Sequence, residues 1–154
     1  MSHINPGDTA FVLICAALVA IMTPGLAFFY GGLVRHKNVI TIMMQSFASL
    51  GVVTLIWVTV GFTLAFGHDV HGIIGGFDYV FLNGVGQAPN PDYAGTIPHQ
   101  LLMIYQMMFA VITPALITGA FAERIKFSTF VVFALLWSTL VYDPVAHWVW
   151  AAGG

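Results

Sequence analysis

QLLMIYQMMFAVITPALITGAFAERIK, residues 100–126, decides what kind of fold this chain has. From Gln100 to Ala122 it carries no charge, and then Glu123, Arg124 and Lys126 arrive together. An apolar rod ending in a charged collar is the mark of a membrane-spanning helix, because at about 1.5 Å per residue a bilayer core takes about 20 apolar residues. Tyr105 and Phe109 are one helical turn apart and share a face, with Gln106 beside it. Thr113 and Pro114 follow, and a proline inside a membrane helix removes a backbone hydrogen bond and commonly kinks the rod. Rings, an amide and a kink on one helix point to a lined path.

Three further rods flank this one. Ala10–Val34 is uncharged, with Thr23, Pro24 and Gly25 in its middle. Arg35 to Asn38 form a polar turn, after which 39–66 is again uncharged. Its Thr41, Gln45, Ser46 and Ser49 follow helical spacing and form a stripe expected to face protein instead of lipid. Residues 67–99 are rich in Gly, Pro, Asn and Asp and read as an outside loop, with Phe77–Leu82 resting on the membrane interface or on the protein itself. The third rod is 100–122 and the fourth 127–149, interrupted by Asp143 and Pro144. The chain is therefore an all-α, polytopic transmembrane helix bundle. All four basic residues, Arg35, Lys37, Arg124 and Lys126, lie in the turns joining rods one to two and three to four. By the positive-inside rule these turns are cytoplasmic and the N-terminus lies outside.

Composition agrees and excludes much. The chain is 59% hydrophobic and 6% charged, with mean hydropathy +0.92, where a soluble domain has about a quarter of its residues charged. A net charge of −2 offers no electrostatic footprint for nucleic acid. The single Cys15 builds neither a disulfide framework nor a thiolate metal cage and reads as a small buried hydrophobe. Met1–Ala10 contains Asp8 and no Lys or Arg, unlike the positive start of a signal peptide, so the first helix is expected to be retained.

Among the histidines, His68 and His71 flank Asp69 in the loop and read as an exposed, solvated pair rather than a metal site. His3, His36 and His99, in termini or loops, receive no role. Trp148 reads as an interfacial belt residue. Trp150, Tyr105 and Phe109 sit at similar depth near one membrane face, and aromatic faces hold a small cation through the ring quadrupole, worth roughly 0.5–2 kcal/mol. On spacing alone, plain core packing is the favoured reading for Tyr105 and Phe109. No metal-ligand cluster, cofactor site or nucleophile–base pair lies at membrane depth, so an enzyme is not the expected reading.

Three segments carry a resemblance: Met22–Arg35 (MTPGLAFFYGGLVR) with Lys37-Asn38, Gln106–Lys126 with its GAFAER ending, and Pro144–Trp150 (PVAHWVW). In order and spacing they resemble the N-terminal part of the ammonium transporter (Amt/Mep/Rh) family. The resemblance implies the first four helices of an eleven-helix, inverted-repeat protomer that assembles as a homotrimer in a cell membrane, with ammonium/ammonia as substrate, the lipid bilayer as solvent and a PII-type regulatory protein as a cytoplasmic partner. Carried over by position, Trp150 resembles the family's recruitment tryptophan, Phe109 one of two gating phenylalanines, and Tyr105 a vestibule aromatic; Gln106 only neighbours the site. The family's pore histidines, second gating phenylalanine, vestibule serine and buried Asp correspond to positions beyond Gly154, and His147 is not one of those histidines. The 154 residues by themselves are expected neither to trimerise nor to transport. The function implied is outer aromatic capture of NH4+ ahead of a phenylalanine-gated pore; an ammonium sensor on the same fold is the alternative.

Overall fold

Asn5 starts the first helix. In the computed structural model, which describes residues 3–153, its side chain accepts hydrogen bonds from the Gly7 and Asp8 N–H groups, and Pro6 takes the first helical position, where no N–H is needed. Helix α1 (Pro6–Leu33) therefore begins at Pro6, ahead of Ala10, and runs unbroken through Pro24. Its buried side is a stripe of mostly small residues, Ala16, Val19, Thr23, Ala27 and Gly31, recurring every third or fourth position. Small side chains let helix backbones approach closely in lipid, and this face packs on α2 (Val39–Ile56) and α4 (His99–Phe121). Phe11, Ile14, Leu18 and Phe28 on the remaining faces are exposed. At Gly119 of α4 a Cβ would stand 2.7 Å from the Tyr30 ring. The Tyr30 hydroxyl donates to the Leu116 carbonyl at 2.8 Å.

The second rod continues from α2 through a π-helical turn (Trp57–Gly61) into α3 (Phe62–Phe66). The fourth repeats the pattern: α5 (Phe127–Trp137), a π-helical turn (Ser138–Tyr142) and α6 (Asp143–Trp150). The four rods, spanning Pro6–Leu33, His36–Phe66, His99–Phe121 and Phe127–Trp150, are each long and apolar enough to cross a membrane. In the polar stripe on α2, Gln45, Ser46 and Ser49 are buried as expected, and Ser49 donates to the Val111 carbonyl at 2.7 Å. Thr41 departs from that expectation: it is exposed while the adjacent Ile42 is buried, because the covered face of α2 runs through Ile42, Gln45, Ser49 and Val53.

The core gathers toward the end of the bundle that carries the long loop. Trp57 packs edge-on against Phe62, Phe66 and Tyr142 with centroids 5.9, 6.3 and 6.2 Å apart, and its Nε1–H donates to the Met103 carbonyl. The loop closes over this cluster. Tyr79 and Tyr93 turn inward, Tyr93 edge-on to Phe66 at 5.3 Å, while Phe77 and Phe81 point out and are exposed. His99 was read as a loop residue; it opens α4, is buried, and lies 5.5 Å from the Phe62 ring and 5.1 Å from the Tyr79 ring. Within the loop, β1 (Asp69–Val70) pairs antiparallel with β2 (Ile74–Gly75). This hairpin lies directly on the end of the second rod. A Cβ on Gly75 would fall 2.4 Å from the Thr63 carbonyl oxygen, and one on Gly67 would do the same.

Candidate functional site

Tyr105 and Phe109 project from the first half of α4, where their four-residue spacing brings the rings into an edge-to-face pair, centroids 5.1 Å apart and planes at 85°. Both are half-buried. Below them Pro114 has no N–H to give, yet α4 continues through it. The Thr113 hydroxyl bonds the Phe109 carbonyl at 2.6 Å, and the Thr118 hydroxyl bonds that of Ala115 at 2.7 Å. The Gln106 Oε1, beside the ring pair in sequence, is buried with no hydrogen-bond partner.

Trp150 ends α6 and is 46% exposed. With Tyr142, Val145, Ala146 and Val149 it lines an almost wholly apolar hollow of about 140 Å³. Its ring joins neither Tyr105 nor Phe109 in the aromatic pairs of the described residues, so two of the three sequence-derived site residues are brought together and the third stands at the bundle end. Trp148, read as a belt residue, is exposed but anchored: its Nε1–H donates to the Ile73 carbonyl of the hairpin at 2.8 Å.

Two ionisable residues were missed by sequence reasoning. Asp143 is only 1% exposed, its Oδ2 has no partner, and its carboxyl packs on Gly61, whose Cβ would lie 3.3 Å from Oδ2. One turn on, His147 is fully buried and bonded to the Ala65 carbonyl and to Asp69, each at 3.0 Å. Asp69 thus leaves the exposed His68/His71 grouping and belongs to the bundle. The available signal was the Asp143-x-x-x-His147 spacing, which places both on one helical face. Among the described residues no group of three His, Cys, Asp or Glu side chains could hold a metal ion.

The opposite, basic end is held by another pair. Arg35 Nε and Nη2 donate to Glu123 Oε2 at 2.9 and 2.7 Å, and the Arg35 backbone N–H donates to Oε1 at 2.9 Å. Glu123 takes a left-handed backbone conformation, φ 64°, to turn its carboxylate there. Arg35 foremost, then the Asn38 side chain, hold that carboxyl at about 2, well below the usual range.

The family model described as Ammonium Transporter Family matches residues 10–154. The ammonium transporter of Bacillus subtilis is 55% identical over 147 residues, covering 96% of this chain and 36% of the relative. The crystal structure of Saccharomyces cerevisiae Mep2 superposes with a TM-score of 0.87 at 34% identity, over 98% of this chain and 34% of that one. A structure described as a Sensor Amt Protein superposes at 0.82 with 28% identity, over 92% of this chain and 33% of the other. The chain spans about a third of the length of the relatives it matches.

Proposed function

The chain belongs to the ammonium transporter family, and from that premise we propose that it supplies the capture end of a membrane carrier for ammonium. The observation that carries this reading is the half-buried edge-to-face pair of Tyr105 and Phe109 on a helix able to span the bilayer. Ring faces attract a small cation without the fixed negative charge that would trap it. Beyond the rings a bare cation in hydrocarbon is costly while neutral ammonia is not, so an NH4+ that gives its proton to water on the outer side of Phe109 can proceed as NH3, where potassium has no proton to give. Trp150, at the loop end, acts first as the recruiting ring; Phe109 gates, and the Tyr105 hydroxyl adds a hydrogen-bonding group.

In this reading the basic turns containing Arg35 and Arg124 face the cytoplasm and offer the surface for a PII-type regulator. The N-terminus lies outside, and the intact protein is a homotrimer in the cell membrane. The test is ammonium uptake and binding by the intact protein in a host lacking other carriers. Trp150→Leu is expected to weaken ammonium affinity about 2- to 30-fold, the cation–π range, and to relax selectivity over potassium, while Phe109→Ala changes flux more than affinity. Unchanged affinity and selectivity in Trp150→Leu sinks the capture role. The likeness to a protein described as a sensor favours a second reading, in which the same fold signals ammonium. A signalling domain in the intact protein, with a ligand-dependent output and no net flux, decides for it.

A further inference from the structure

His147 presents both ring nitrogens to oxygens: Nδ1 lies 3.0 Å from the Ala65 carbonyl and Nε2 lies 3.0 Å from Asp69 Oδ1. A backbone carbonyl can only accept. The bond to His147 first, and then the Gly72 N–H that Asp69 accepts on both oxygens at 2.9 and 3.0 Å, hold the Asp69 carboxyl below the ordinary value. It too is an acceptor. A neutral imidazole has one N–H and would turn a lone pair toward one of the two oxygens; an imidazolium satisfies both. The site suits a cation. Ala65 lies in the last turn of the second rod, where carbonyls lack intrahelical partners and carry the negative end of the helix dipole.

His147 and Trp150 are three apart on α6 and therefore neighbours on its surface. Uncompensated, a buried positive charge there would oppose an arriving cation. We propose that Asp69 is a positioning residue for cation capture: it neutralises a resident His147 imidazolium beside Trp150 and clamps the hairpin to the helix that carries both. The inference rests on the reading of Trp150 as the recruiting ring for ammonium. The other titratable groups around the pair are few. His68 adds a weak attraction to Asp69, while its backbone N–H is bonded to Asp78 at 2.8 Å. His71 stands in the exposed turn, Asp143 packs on Gly61 one turn back along α6, and the Tyr93 hydroxyl is engaged by the Phe66 carbonyl at 2.9 Å.

Two measurements on the intact protein test this. Nitrogen-15 NMR of the His147 ring at neutral pH is expected to show two protonated nitrogens; a neutral tautomer overturns the proposal and needs no ammonium to be seen. Ammonium binding by calorimetry between about pH 5 and pH 8, where an unpaired histidine changes charge, is expected to stay flat in the wild type. In Asp69→Ala it should fall about tenfold toward the acid end, where the unpaired ring is charged. Asp69→Glu should restore the flat profile, and so should His147→Gln added to Asp69→Ala. An Asp69→Ala profile as flat as the wild type's overturns the proposal even where the NMR shows an imidazolium. A wild type that binds no ammonium defeats the capture reading, and with it the positioning role, while the ring's protonation is still decided by NMR.

Discussion

Each end of the bundle is locked by a side-chain pair between segments far apart in sequence, and the two locks are built differently. At the basic end Arg35 reaches Glu123 through water-exposed space, its side chain 71% accessible. At the loop end His147 is buried, bonded at both nitrogens, and backed by a hairpin whose glycines touch carbonyl oxygens. Exposed pairs contribute little, about 0–1 kcal/mol at the median, because solvent screens them and the side chains lose entropy. A buried imidazole that loses its partner keeps an unmet polar atom and the full cost of desolvating it. The basic-end pair is therefore an exposed clasp that adds little to the bundle, and the loop-end pair is joined to the core.

Substitutions graded by size can break this contrast. Gly75→Ala places a Cβ against the Thr63 carbonyl oxygen, and backbone atoms cannot swing aside as a side chain can. Its cost should reach the upper end of the roughly 1–3 kcal/mol of overpacking, seen as lost yield or a lowered melting temperature in detergent. Gly32→Ala, near the basic end of α1 with open space around it, should leave both unchanged. If the two behave alike, the loop end is not the tighter one. Tyr93→Phe removes the hydroxyl that donates to the Phe66 carbonyl at 2.9 Å and accepts the Ala152 N–H at a longer 3.4 Å, and should cost about 0.5–1.5 kcal/mol, mostly the net worth of the shorter bond.

The smallest effect belongs to Glu123→Gln, expected to shift the melting temperature slightly or not at all. Its carboxyl is lowered from 4.5 to about 2, so the contribution of the pair is fully present above pH 4.5 and is lost as pH falls through about 2. Melting temperature measured against pH should show the wild type and Glu123→Gln converging only in that acid window. Divergence at neutral pH comparable to that of Gly75→Ala would erase the distinction between the ends.

How much of this was legible follows from range. Rods show in sequence because each is a continuous apolar run, and the Gln45, Ser46 and Ser49 stripe shows because burial on a helix repeats every three or four residues. Thr41 fits that spacing but falls beside the covered face of α2, which runs through Ile42, Gln45, Ser49 and Val53. Tyr105 and Phe109 were legible as a pair because one turn of helix joins them. The Asp69–His147 bond spans 78 positions, and no local pattern marks which loop carboxylate meets a given helix. His99 failed for a related reason: a histidine after proline at a loop's end looks solvated, and only the Phe62 and Tyr79 rings folding over it make it core.

The two π-helical turns, Trp57–Gly61 and Ser138–Tyr142, bear on which length changes the chain can absorb. In an α-helix, removing one residue turns everything beyond it by about 100°, which would swing Trp150 or the Phe62–Phe66 face out of register. A π-helical turn already holds one residue in excess. A single deletion inside it restores ordinary helical winding and leaves both flanks where they were. Along the second and fourth rods these two short windows are where a relative one residue shorter can be aligned across a gap without disturbing the loop end.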